Sequence, residues 1–147
     1  MKPCNLRISA LFIAVAATAA TAASAAVPAG RYTFPATGTV LDTKTKLTWQ
    51  QAPATGTFSW ASAKTYCAAQ VPVGWRLPTV KELETLVDDS RVGPAIDPTA
   101  FPATPSSAFW SSSTVAGQPG LAWEVIFYYG NTDTGDATHP FNVRCVR

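Results

Sequence analysis

The sequence predicts an α+β domain. Two short segments with strand-like alternation come early, two segments of helical periodicity follow, and further strands close the chain after a proline-rich irregular stretch. The length of 147 residues fits one domain, and neither internal repeats nor tandem domains are visible. Charged residues are 14 % of the chain, well below the ~25 % usual for soluble domains. With 47 % hydrophobic content this sets aside a disordered tail, and the lack of a strong Lys/Arg excess sets aside a nucleic-acid binder.

Residues 1–25 have the build of a secretory signal peptide. Lys2 and Arg7 supply the positive start, a short apolar run follows, and Ala23-Ser24-Ala25 forms an A-x-A cleavage site. The run is rich in Ala and too weakly apolar for a stable span, so no membrane insertion is expected after cleavage. Cys4 precedes the apolar run and leaves with the signal, unlike a lipidated Cys. Removing Lys2 and Arg7 from eleven cationic residues leaves nine, which balance nine Asp and Glu. A neutral domain has no long-range steering toward DNA, polyanions or anionic lipid.

Residues 26–37 form an N-terminal linker or first strand, with Arg31-Tyr32-Thr33-Phe34 as the strand candidate. Val40-Leu41-Asp42 and Leu47-Thr48-Trp49-Gln50 flank a polar turn and predict a hairpin. Ser59 is placed to cap a helix from Trp60 to about Ala69, with Trp60, Ala63 and Cys67 on its buried stripe. A second helix is marked by Thr79-Val80-Lys81-Glu82, a capping box behind the stop signal of Pro78. Its core stripe is Leu83, Leu86 and Val87, with Lys81, Glu84 and Asp88 expected to face water.

Beyond Asp89 periodicity is lost through a stretch punctuated by Pro94, Pro98, Pro102, Pro105 and Pro119 and interrupted by Phe109-Trp110-Ser111-Ser112-Ser113. Ile96, Phe101, Phe109 and Trp110 are too apolar to be left in water, so this long loop region is expected to be ordered. Residues 122–129 alternate as a strand, which points Tyr128 and Tyr129 to opposite sides. Residues 130–136 carry turn chemistry, and residues 141–147 close as a strand with Phe141, Val143 and Cys145 on one side.

After signal cleavage two cysteines remain, Cys67 and Cys145. An even pair in an oxidising compartment favours a disulfide; a metal pair or a catalytic thiol are the alternatives. The single His139 stands beside Pro140 in a predicted loop, and Ser111, Ser112 and Ser113 lack a G-x-S-x-G setting, so no catalytic residue is assigned.

Four blocks in order resemble the Lcl C-terminal domain family. They are Val40-Leu41-Asp42-Thr43-Lys44-Thr45-Lys46-Leu47-Thr48-Trp49, Gly74-Trp75-Arg76-Leu77-Pro78-Thr79-Val80-Lys81-Glu82-Leu83, Phe109-Trp110-Ser111-Ser112-Ser113 and Val143-Arg144-Cys145-Val146-Arg147. The resemblance runs over residues 38–147. It implies a C-type-lectin-like fold, a twisted antiparallel sheet with two helices and a long loop region. It also implies a disulfide from the first helix to the last strand, export, and binding at the bacterial surface, with one adhesin subgroup recognising sulfated glycans. Trp75-Arg76-Leu77-Pro78-Thr79 also resembles a block of the formylglycine-generating enzymes, which require a free thiol pair that binds copper.

The expected function is recognition without catalysis: an exported domain, secreted, periplasmic or at the cell surface, that binds a glycan or protein ligand. A formylglycine-generating-enzyme-like oxidase and a structural, homo-oligomeric subunit of a surface assembly are the alternatives. Trp110, Trp123, Tyr128 and Tyr129 are the aromatic candidates for ligand contact, although Trp110 and Trp123 also suit the core. Asn131, Asp133 and Asp136 around Gly135 are the best oxygen-ligand cluster. They are the candidate calcium set, but they depart from the EF-hand pattern and also suit an ordinary hairpin turn. Trp75, Arg76, Thr79 and Glu82 form the central structural motif, with Arg76 expected to be buried and paired with a carboxylate near the helix start.

Overall fold

The computed structural model describes residues 27–147, so the signal-peptide segment lies outside the described residues. The domain is α+β, with two antiparallel three-stranded sheets and two helices. In the first sheet β1 (Tyr32–Thr33), β2 (Thr39–Asp42) and β3 (Thr48–Gln50) pair in chain order. The expected hairpin is present, with Leu41 opposite Thr48. Asp42 closes its turn by accepting from the amides of Lys44 and Thr45, and it also receives a fork from Arg31 at 2.6 and 3.2 Å. The same guanidinium donates to the carbonyl of Thr85, which fastens β1 to the segment after the second helix.

Helix α1 (Trp60–Ala68) begins where Ser59 predicts, and α2 (Val80–Glu84) carries the complete capping box. Ser113 adds a further N-terminal acceptor for α2, taking the Val80 amide at 3.0 Å, so the Ser-rich segment is tied to the helix start. Leu83 and Leu86 are buried as expected, but Asp88 is a correction: it is 3 % exposed. Its carboxylate closes the turn behind it, accepting from the Ser90 amide and hydroxyl and from Arg91.

The second sheet is β4 (Ala108–Val115), β5 (Gln118–Ile126) and β6 (Asn131–Asp136), again in chain order. Three sequence expectations fail here. Pro119 lies within a strand, because β5 starts at Gln118, directly after a two-residue link from Val115. The β5 strand ends at Ile126, so Tyr128 and Tyr129 sit on the turn between β5 and β6. Residues 131–136 are not turn but a strand, paired from Ile126 opposite Asn131 to Leu121 opposite Asp136.

The expected single twisted sheet is therefore two sheets, joined by the C-terminal segment. Residues 141–147 make isolated bridges and backbone bonds in both directions. Thr48, Gln50 and Ala54 donate to Arg147, Cys145 and Val143, while Trp110 donates to Asn142, and Arg76 exchanges both bonds with Val146. The expected alternation of Phe141, Val143 and Cys145 holds, but both faces of the segment are covered. Val143 and Cys145 join one core cluster with Ala63, Cys67, Trp75, Leu77, Trp110 and Ala122. Val146 joins the other with Val40, Trp49, Leu83, Leu86, Phe101, Phe109 and Phe127. Sheet β4–β5 is likewise buried on both sides, Phe109 and Val125 toward one cluster, Trp110 and Ala122 toward the other.

Candidate functional site

Cys67 on α1 and Cys145 on the closing segment are joined by a disulfide, their Cα atoms 5.5 Å apart and both side chains fully buried. Neither thiol is available to bind copper, the step the oxidase alternative depends on. Ser111 is buried and donates to the carbonyl of Trp123 at 2.7 Å, and Ser113 is used at the start of α2. His139 is exposed on a turn.

The central motif is brought together around the start of α2. Thr79 accepts the Glu82 amide, and Glu82 reaches back to the Thr79 amide at 2.8 Å. Arg76 grips the same carboxylate with two bonds of 2.8 and 2.6 Å. These bonds, that of Arg76 foremost, pull Glu82 down to about 2 against its desolvation. The expected pairing is present but the expected burial is not, since the Arg76 side chain is 48 % exposed. Trp75 is buried, with the guanidinium of Arg147 at 5.0 Å from its ring centroid. Beside the motif a cleft of about 420 Å³ is lined by Lys64, Ala68, Arg76, Leu77, Thr79 and Ser112. The ammonium of Lys64 rests 3.4 Å over the ring of Trp60, which is half-buried.

The aromatic candidates separate. Trp110 is fully buried, its indole N–H donating to the carbonyl of Phe58 at 2.8 Å, and is therefore a core residue. Trp123 is half-buried on β5. Tyr128 and Tyr129 are 45 % and 67 % exposed. Against the expectation of opposite directions they touch each other, ring centroids 4.4 Å apart and planes at 86°. The turn breaks the strand alternation that the expectation assumed.

Asn131, Asp133 and Asp136 are exposed along β6 rather than gathered in a turn. Asn131 and Asp133 share one face of the strand and Asp136 lies on the other. The Asp136 carboxylate accepts from the amide and hydroxyl of Thr138. Among the described residues no group of three or more His, Cys, Asp or Glu side chains is placed to hold a metal ion.

Sequence reasoning did not single out Glu124. It faces Trp110 on β4 and Asp133 on β6 across the sheet, and it is 6 % exposed. Its Oε2 has no hydrogen-bond partner. A Cβ at Gly135 would fall 2.8 Å from that oxygen, 2.5 Å from the Phe141 ring and 2.9 Å from the Trp110 ring, so only glycine leaves room for this packing. Desolvation first, and the Asp133 carboxylate second, push Glu124 up from 4.5 to about 7. The unfolded chain ionises this group near 4.5 and the folded one near 7, so stability falls as pH rises through that window and is level above it. Glu124→Gln is therefore expected to be more stable than the parent at pH 8, by about 1–2 kcal/mol, with that advantage gone at pH 4. Parallel urea unfolding at the two pH values measures this, and an equal difference at both would exclude a buried carboxylate as the cause.

Residues 38–147 match the model of the Lcl C-terminal domain family. The chain belongs to that family. In this Lcl C-terminal domain the matched region begins just before β2, so β1 and Arg31, which forks onto Asp42, precede it. No curated protein matches the chain.

Proposed function

We propose that this Lcl C-terminal domain is an exported, non-catalytic recognition module that binds a glycan or protein ligand at the bacterial surface or envelope. The observation that carries the reading is the Cys67–Cys145 bridge. It takes up both cysteines of the described residues, and a buried cross-link of this kind suits an oxidising compartment. Family membership, the antiparallel strand pairing and the two helices support the finer assignment to a C-type-lectin-like fold, in which loops on a fixed scaffold carry recognition. The signal-like residues 1–25 support export, to the periplasm or beyond it.

The test uses the chain from residue 26 onward, on a glycan array and as bait against envelope extracts, beside intact-mass analysis without reductant. Binding by a bridged protein is the expected result. Silence on both arms would overturn recognition, and two free thiols that take up copper would replace it with oxidase chemistry.

A further inference from the structure

From the turn between β5 and β6, we infer that Tyr128 and Tyr129 form a stacking subsite for a neutral glycan, a sugar ring lying against one phenol ring with the other as its wall. The inference rests on the recognition reading and gives it a place and a ligand class. Six large apolar or aromatic side chains are strongly exposed among the described residues: Phe34, Val71, Val73, Val92, Tyr128 and Tyr129. Within this set Tyr128 and Tyr129 form an aromatic pair in edge-to-face contact. The corner they make offers two perpendicular π surfaces, one to meet the C–H face of a pyranose and one to limit its edge.

Backbone hydrogen bonds hold this turn in place. The Gly130 amide donates to Ile126, the Gly93 amide to Tyr128 and the Ala95 amide to Phe127, so the backbone is bonded both within the hairpin and to the neighbouring loop. Gly130 has φ +80°, and a Cβ there would overlap Val87, so the turn is pressed against the segment after α2. The tyrosines thus project from a fixed backbone, an arrangement that lowers the entropy cost of binding. Neither ring belongs to a core cluster, and the Tyr128 ring lies along Gly93, where a Cβ would come within 3.7 Å of it.

Size and charge select the occupant. The exposed parts of the two side chains together match about one whole tyrosine, roughly 200 Å². That area covers a sugar ring or two, and is far below the ~800 Å² per partner of a stable protein interface. On the flanking segments Arg91 is paired with Asp88, while Asp89 and Asp133 are exposed carboxylates. The one cation of these segments is thus already paired, which leaves nothing to hold a sulfated or otherwise anionic chain and favours a neutral sugar. Asn131, exposed one residue beyond the turn, supplies an amide for ring hydroxyls.

The experiment titrates the chain from residue 26 onward with chitohexaose, cellohexaose and mannohexaose, and with heparin as the anionic probe, following binding by calorimetry. The parent is compared with the Tyr128→Ala/Tyr129→Ala double variant and with Phe34→Ala, whose exposed ring belongs to another segment. A melting curve is recorded for each of the three, so that binding is compared only at a temperature where all are folded. The expected result is binding of at least one neutral hexamer, weakened about tenfold or more in the double variant and unchanged in Phe34→Ala. Neutral binding that survives loss of both tyrosines, binding of heparin alone, or binding of none of the hexamers would overturn the subsite. Array or envelope ligands found in those cases would leave the recognition reading standing, so the two failures are distinct.

Discussion

Replacing Cys67 and Cys145 together by Ala is expected to cost about 4 kcal/mol of stability and to lower the melting temperature by roughly 15 °C. The bridge spans 78 residues of sequence, and chain-entropy reasoning assigns a loop of that length about 4.5 kcal/mol through restriction of the unfolded state. Its position adds a local reason. Cys67 is on the buried face of α1, and Cys145 is in the segment that joins the two sheets, so the bond fixes the helix to the strut on which both sheets hang. Without it α1 retains the Ser59 cap and the Trp60 indole bond to the carbonyl of Ser111 at 2.7 Å, which are local ties of modest size. The effect is read by urea unfolding of the double variant beside the parent with and without reductant. Equal midpoints for all three would mean that the cross-link adds nothing to the fold.

The parts of this architecture that were legible in the sequence are those set by short-range chemistry. The polar turn of the first hairpin, the Ser59 cap and the Thr79–Glu82 box each involve residues within a few positions of one another. The β5–β6 hairpin was illegible for a physical reason. Its turn, residues 127–130, contains Phe127, Tyr128 and Tyr129, which have strand propensity, whereas its second strand is Asn131-Thr132-Asp133-Thr134-Gly135-Asp136, whose residues favour turns. Tertiary bonds to Gly93 and Ala95 fix the turn where it is, and the polar strand suits a sheet edge, where charge discourages further pairing. Glu124 and Asp88 were hidden for another reason. Alternation assigns a residue to a face, but only the fold decides whether that face meets water, and here the second core cluster covers the face that carries Glu124.

Arg144→Ala is expected to be the most damaging single substitution considered, at about 3–5 kcal/mol. The side chain is fully buried beside Val143 and Cys145, and no carboxylate among the described residues pairs with it. Its charge is met by oxygen dipoles and π faces instead. One terminal nitrogen donates to the carbonyls of Gln50 and Gln51, and the other donates to the Thr104 hydroxyl at 2.7 Å. The Phe101 ring centroid lies 4.7 Å from the guanidinium carbon. Burial pushes the group down to about 9, which still leaves it charged at neutral pH. Gln50 and Gln51 belong to the end of the first sheet and its exit, and Thr104 to the long loop region, so one guanidinium joins two parts of the fold far apart in sequence. Truncation would open a cavity and leave three acceptors, the buried Thr104 hydroxyl among them, without their donor. Arg144→Lys would not restore them, because a single ammonium lacks the planar fork that reaches oxygens on both sides, and a cost above about 2 kcal/mol is expected for it as well. Urea midpoints for the two variants decide the matter: a lysine variant as stable as the parent would show that charge alone, not the geometry of the fork, is what this position requires.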